Sequence, residues 1–237
     1  MKVMDANELY DPEFRKLIKE KNPTIIIPVG SLEQHGAHLP ITTDSDIVTE
    51  IASRLAKKCG FIVFPTISYS QSFEHSPLFN TSISPTRFSL NLHDIIASLK
   101  SNNIKSVKIL NGHHGNVKSL KLMERGAPVV YSKDFKIDFY SYWHFMKHEF
   151  DHAGFVETSL MLAISDKVKM KKAKKGFTTK GMSEKEIQRI SKLSTERGGF
   201  PKVAKNGVWG DPIGATKKDG EKFLAEIVRN LAKECQT

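Results

Sequence analysis

An α/β fold, with a mostly parallel sheet covered on both faces by helices, is the class that this 237-residue chain predicts. Short apolar, β-branched runs alternate with segments whose apolar residues recur at helical spacing, which is the pattern of crossover-connected parallel strands. Polar clusters rich in Glu and His follow the strand-like runs, and parallel sheets collect ligands at the carboxyl ends of their strands. The length suits one large domain, 1–237, because no long Pro/Gly/Ser linker divides the chain.

The elements follow in order. PTIIIPVG (23–30) is apolar and ends on glycine, so it predicts a buried strand. Ile47, Val48, Ile51, Ala52 and Leu55 then recur at helical spacing, with Asp44 or Ser45 as the expected cap. GFIVFP (60–65) predicts a second strand, and Ser68 to Ser84 a polar loop. Phe88, Leu92, Ile95, Ile96 and Leu99 predict a helix that Pro85 suits as its first turn. SVKIL (106–110) predicts a third strand, running into NGHHGN and a helix through Val117 and Leu120. APVVY (127–131) is expected as a fourth strand and FKIDFYSYW (135–143) as a fifth. Helices are expected from near Glu157 to Ile164 and through Phe223, Leu224, Ile227, Val228 and Leu231.

Composition narrows the class. The hydrophobic share is 39%, and the apolar runs are strand-sized, far below the roughly 18–20 residues a membrane span needs. The opening MKVMDANELY has no apolar secretory stretch, so a cytoplasmic location is expected, with no membrane partner. Two cysteines, Cys59 and Cys235, make neither a disulfide framework nor a thiolate metal site. The net charge of +10 owes much to seven lysines between Lys167 and Lys180. No aromatic residue alternates with these lysines, so a solvated segment is preferred over a nucleic-acid surface.

The chemistry gathers in PVGSLEQHGAHLPITTDSD (28–46), which holds Glu33, His35, His38, Asp44 and Asp46. Glu33 and His35 are two apart on an extended segment and face the same side. Asp44, at the mouth of the next helix, can swing back toward them, and His113 adds an imidazole from a neighbouring loop. A lone Glu-x-His is usually a hydrogen-bonded polar pair. Several such groups on one rim favour a metal, and a thiolate-free donor set suits zinc, manganese or iron(II).

GSLEQHGAHLPITTDSD, NGHHGN, HAGFVETS and GVWGDPIGAT together resemble the creatininase family of metal-dependent amidohydrolases, in the family's order and across about Gly30 to Gly220. The resemblance implies a three-layer α/β/α sandwich that assembles into homo-oligomers. It implies one or two divalent ions (zinc, iron(II) or manganese) held by Glu33, His35, Asp44 and His113, with Asp44 as the bridge. His152 falls on a position that passes a proton to the leaving nitrogen, and Asp151 can orient it. In creatininase the residue two past the first histidine of NGHHGN is a glutamate ligand, and here it is Gly115. Glu157 is therefore the expected replacement as ligand and catalytic carboxylate, with a helix N-terminal carboxylate as its alternative role. His38 is expected to support a ligand carboxylate, and Asp46 to belong to the helix start. Glu74 and His75 match a loop the family uses near its pocket. Tyr142, Trp143 and Trp209 are equally candidates for substrate walls and for core.

The expected reaction is hydrolysis of a C–N amide bond in a small molecule by metal-activated water. Within the family the chain looks closest in type to the archaeal deformylases of formamidopyrimidine nucleotides in flavin and deazaflavin synthesis. The lysine-rich segment and the loss of the glutamate at Gly115 favour a phosphorylated formamide over creatinine. Creatinine ring opening and processing of a small peptide redox cofactor are other family activities. A non-catalytic nucleic-acid-binding protein retaining a structural metal is the alternative of a different class, motivated by the charge.

Overall fold

The computed structural model describes residues 4–131 and 134–235. Its strands are β1 (Met4–Asp5), β2 (Thr24–Val29), β3 (Ile62–Val63), β4 (Ser106–Asn111) and β5 (Lys136–Ser141), in the order β1-β3-β2-β4-β5 with every pairing parallel. Its helices are α1 (Asp11–Lys21), α2 (Thr43–Cys59), α3 (Pro85–Ser101), α4 (Val117–Val130), α5 (Phe155–Ile164), α6 (Glu184–Ser194), α7 (Phe200–Val203) and α8 (Lys217–Glu234). Alternation along β2 builds the layers. Ile25, Ile27 and Val29 face a core with Phe88, Leu92 and Ile96 of α3 and Leu120 of α4. Ile26 faces the opposite core with Ile47 and Ile51 of α2, Leu160 of α5 and Leu224 and Ile227 of α8. Helices on both faces make the expected three-layer α/β/α sandwich.

Several expectations are corrected. The run 127–131 is not a strand. It is the last turn of α4, closed by a bond from Tyr131 N to Ala127 O of 2.8 Å. So short an apolar run fits either period, and the continuing helix decides it. The strand that follows β4 in the sheet is Lys136–Ser141. Neither Asp44 nor Ser45 caps α2. Thr42 is the cap residue, and its hydroxyl donates to Asp46 at 2.8 Å, while Asp44 and Ser45 lie buried within the first turn. The sequence reading passed over α1 and α6. Both are polar helices, with buried residues none in α1 and only Ser194 in α6. The expected first turn of α3 holds, with Pro85 in it, and Ser84 caps the helix by accepting from Arg87 N.

Two glycines let α2 approach the sheet. A Cβ on Gly30 would lie 2.6 Å from Ser45 Cα, and one on Gly112 would lie 2.8 Å from Asp44 O. With neither present, the first turn of α2 presses against the ends of β2 and β4 and brings Asp44 to the carboxyl edge of the sheet.

Lys108, only 3% exposed, pairs with Asp138 across the β4–β5 register at 2.7 Å. Removing one partner strands a buried charge, whereas an apolar residue of similar length does not. Asp138→Ala is expected to lower stability by roughly 2 kcal/mol, discounted for the partial exposure of Asp138, and Lys108→Met by less than about 1 kcal/mol. Denaturant unfolding checks this, and equal losses in the two variants would contradict it.

Candidate metal centre

The loops after β2, β3, β4 and β5 meet over the carboxyl edge of the sheet. Gly30 joins three of them: its carbonyl accepts from Ser70 Oγ at 2.7 Å and Asn116 Nδ2 at 3.2 Å, and its N–H donates to Ile67 O at 3.0 Å. Asn111 Oδ1 accepts from His113 N at 3.1 Å and from Asn116 Nδ2 at 3.3 Å, which fixes the turn that presents His113. The expected convergence of polar loops is therefore built by buried side chain-to-backbone bonds.

Asp44 occupies the middle. Its Oδ1 lies 3.1 Å from His35 Nε2, and its Oδ2 lies 2.8 Å from His113 Nδ1 and accepts from Ser31 Oγ at 2.7 Å. One oxygen thus faces each imidazole. Glu157 Oε2 is 3.5 Å from His35 Nε2 and accepts from Ala153 N at 2.7 Å, so this carboxylate both closes the start of α5 and faces the site. Glu33 Oε2 is 3.3 Å from His113 Nε2, and Glu33 Oε1 is 3.0 Å from His75 Nε2. His113 Nε2 also lies 3.4 Å from Glu74 Oε1 and 2.7 Å from Gln71 O. All of these side chains are buried.

His152 reaches the same cluster, with Nδ1 3.7 Å from Glu33 Oε1 and its ring 4.2 Å from the His35 ring. Asp151 does not hold it: the carboxylate of Asp151 accepts from Val156 N at 2.9 Å and Glu157 N at 3.3 Å, capping α5. The residue that holds His152 is Gln34. Its Oε1 accepts from Gly36 N at 3.0 Å, which turns its amide nitrogen toward His75 Nδ1 at 2.9 Å, and its backbone carbonyl oxygen accepts from His152 Nε2 at 3.1 Å. His38 bonds Thr158 Oγ1 at 3.0 Å rather than a site carboxylate, so it ties the first loop to α5. Asp46 stays at the helix start, as expected.

Above the cluster lies a cavity of about 250 Å³, lined by Phe150, Phe200 and Trp209 beside the carboxylates and imidazoles, with Ser191, Ser194 and Thr195 also on its wall. Tyr142 is wholly buried and belongs to the core, and Trp143 stacks on Phe150 with ring centres 4.6 Å apart. The seven lysines from Lys167 to Lys180 are exposed, and none is among the residues lining the cavity.

The electrostatics are those of a site arranged for added positive charge. Burial alone would raise the pKa of Glu33, but His113 and His75 outweigh it and bring it down to about 2. Burial likewise works against a charged His35, but Asp44 and Glu157 raise it to about 10. Asp44 is held well below and His113 well above the usual range by the same mutual attraction, against the burial of each. Glu157 goes the other way, raised by burial and by Asp44, and its Oε1 has no hydrogen-bond partner. Among the described residues, the Glu33 oxygens meet the imidazole nitrogens of His75 and His113 and no donor beyond the histidines. Buried carboxylate oxygens facing imidazoles in this way fit a divalent cation. Among the described residues, four overlapping groups have ligand atoms within 4.8 Å of one another: Glu33–His35–Asp44, His35–His152–Glu157, Glu33–His75–His152 and Glu33–Glu74–His113.

The family model for creatinine amidohydrolase, the creatininase family, matches residues 7–235. The chain belongs to the creatininase family. Members of this family are metal-dependent amidohydrolases, so the chain is an amidohydrolase of the creatininase type. A mycofactocin precursor peptide peptidase from Mycobacterium ulcerans (strain Agy99) is 33% identical over 218 residues, 87% of this chain and 82% of that protein. The 2-amino-5-formylamino-6-ribosylaminopyrimidin-4(3H)-one 5'-monophosphate deformylase of Methanosphaera stadtmanae is 36% identical over 110 residues, 42% of this chain and 44% of that protein. A crystal structure of creatinine amidohydrolase superposes with a TM-score of 0.80 at 24% identity, covering 99% of this chain and 97% of that one, a likeness of fold. Among the described residues, no helix is long and apolar enough to cross a membrane.

Gln34 and Ser31 are the site residues that sequence reading missed. Both sit inside the quoted first motif, but neither is a metal-capable type. Metal binding to such a cluster must expel the protons that the imidazoles carry. At neutral pH a metal-free His35 with a pKa near 10 is protonated, so apparent affinity for zinc is expected to rise with pH across the neutral range and fall as pH drops. Calorimetric titrations in two buffers of different ionisation enthalpy measure the released protons. Uptake of zinc without proton release would contradict this protonation scheme.

Proposed function

We propose that this protein hydrolyses the C–N bond of a formamide on a flat, ring-bearing substrate, in the manner of a formamidopyrimidine-nucleotide deformylase. The observation that carries the hydrolytic reading is the set of buried carboxylates, Glu33 facing imidazoles and Glu157 with an unpartnered Oε1, at the foot of a small cavity walled by Phe150, Phe200 and Trp209. Glu33, His35, Asp44 and His113, with Glu157, would hold one or two divalent ions such as zinc, manganese or iron(II), and Asp44, which faces both His35 and His113, would be the carboxylate common to the two halves. When bound, such an ion lowers the pKa of water and polarises the amide carbonyl.

The chain's own residues do the rest. Burial, His35 and His75 hold the His152 pKa well below normal, so its ring is neutral and able to take up a proton. With Nε2–H donating to the Gln34 carbonyl oxygen at 3.1 Å, Nδ1 is the free base directed toward the cluster, where it takes up the proton that passes to the departing nitrogen. The cavity is smaller than the roughly 300–1,000 Å³ of sites that enclose a whole ligand, so it admits the reacting head of the substrate while the remainder lies outside. Aromatic walls suit a planar pyrimidine. A terminal phosphate would then lie beyond the cavity, and Ser191, Ser194 and Thr195 are the hydroxyl-bearing residues on its wall.

A second reading is cleavage of a small peptide, favoured by the 33% identity to the mycofactocin precursor peptide peptidase across 87% of this chain. The two readings share the cluster and differ in what enters the cavity. The purified protein, loaded with zinc, manganese or iron(II), is to be offered the formamidopyrimidine nucleotide, creatinine and the mycofactocin precursor peptide. Formate release from the nucleotide is expected. Turnover of the peptide or of creatinine alone would replace the formamide reading.

Three variants test the roles. Asp44→Ala is expected to lose both ions and His35→Ala to spare at least one, by elemental analysis. His152→Ala is expected to keep its metal and lose turnover by at least about 100-fold. Full metal retention in Asp44→Ala would remove the bridge, and normal turnover in His152→Ala would remove the proton carrier.

A further inference from the structure

Position 115 is the clue. A Cβ built there would collide with Glu74 Oε1 and with His113 Nε2, and would lie 2.8 Å from Gln71 O. Gly115 is not among the residues with positive φ, so its backbone conformation does not require glycine. The space above it does, because His113 Nε2 and the carboxylate of Glu74 together fill that space. Glu74 stands in the 3₁₀ turn Phe73–His75, reached from β3 by a loop that Ser70 fastens to Gly30. It is 7% exposed and lines the cavity. Its Oε1 lies 3.4 Å from His113 Nε2, on the side of the ring that also meets Glu33 Oε2 at 3.3 Å.

The cluster then divides about Asp44. On one side stand His35 and Glu157, 3.5 Å apart. On the other stand His113, Glu33 and Glu74, which form one of the groups compact enough to hold a cation. In the metal-free protein His113 Nε2 donates to Gln71 O at 2.7 Å, and a cation held by this group takes the place of that proton. Glu157 faces the His35 side, so it does not furnish a carboxylate beside His113, whereas Glu74 does.

We infer that Glu74 is the carboxylate that completes a divalent-cation subsite with Glu33 and His113, and that Gly115 is glycine because Glu74 and His113 occupy the space its side chain would take. The subsite offers oxygen and nitrogen ligands without sulfur, a set that accepts zinc or manganese. This inference rests on the metal-centre reading above and adds a ligand to it.

The test reads metal, not turnover. Wild type, Glu33→Gln, Glu74→Gln, Glu74→Ala and Gly115→Ala are to be titrated with zinc and, separately, manganese. Ions per chain are counted by elemental analysis after buffer exchange, and thermal unfolding confirms that each variant folds. Wild type is expected to hold two ions. Glu74→Gln is expected to keep the ion beside His35 and bind the other about 100-fold more weakly. Gly115→Ala is expected to weaken the same ion, because its methyl displaces both Glu74 Oε1 and His113 Nε2, and Glu74→Ala carries the test should Glu74→Gln fail to fold. Two ions bound within twofold of wild-type affinity in the Glu74→Gln, Glu74→Ala or Gly115→Ala protein, or a single ion in wild type that Glu74→Gln leaves unchanged, would overturn the inference. If Glu33→Gln also bound metal as wild type does, the metal-centre reading itself would fall, whereas a loss in Glu33→Gln alone would leave that reading standing without Glu74.

Discussion

The arrangement turns on one carboxylate. Asp44 meets His35 with one oxygen and His113 with the other, and those histidines come from loops after two different strands. To reach them, the first turn of α2 must lie against the ends of β2 and β4, which Gly30 and Gly112 permit. Ser31 and Ser45 complete the attachment, the first by donating to Asp44 Oδ2 and the second by donating to Ser31 O. Moving α2 by the width of one methyl group would separate the halves of the cluster.

Burying this many ionisable groups is costly, and the cost explains their pairing. Each desolvated charge costs several kcal/mol unless an opposite charge and good hydrogen bonds compensate. In the metal-free protein the protonated imidazoles of His35 and His113 compensate Asp44 and Glu33. Glu157 is left short of compensation, with one oxygen bonded to Ala153 N and the other unpartnered. A divalent cation offers the missing charge and frees the imidazoles of their protons. The same field keeps His152 neutral, because His35 and His75 repel a proton on its ring. The chemistry of the proton carrier and the holding of the cation are therefore one electrostatic problem.

Much of this was legible in the sequence. The apolar runs of β2 and β4 and the helical spacing of α2, α3 and α8 announced a parallel sheet between helical layers, because their periods are set by which face is buried. Glu33, His35, Asp44 and His113 were legible because parallel strands deliver their following loops to one edge. The run at 127–131 was misread since five apolar residues fit either a strand or a helix end. Asp151 was assigned to His152 by adjacency, but two unsatisfied N–H groups at the start of α5 compete for its carboxylate and win. Gln34 carried no metal-capable side chain, and its role appears only when His75 and His152 are placed on either side of its amide. The basic run 167–180 suggested a phosphate site, yet its lysines are exposed and outside the cavity lining.

The central claim is that Asp44 is shared between two cations. A crystal of the protein soaked in manganese, with anomalous scattering recorded, tests it most directly. Two anomalous peaks about 3.5–4 Å apart, one beside His35 and one beside His113 with Asp44 between them, are predicted. A single peak that does not touch Asp44, or peaks only outside this cluster, would contradict the account.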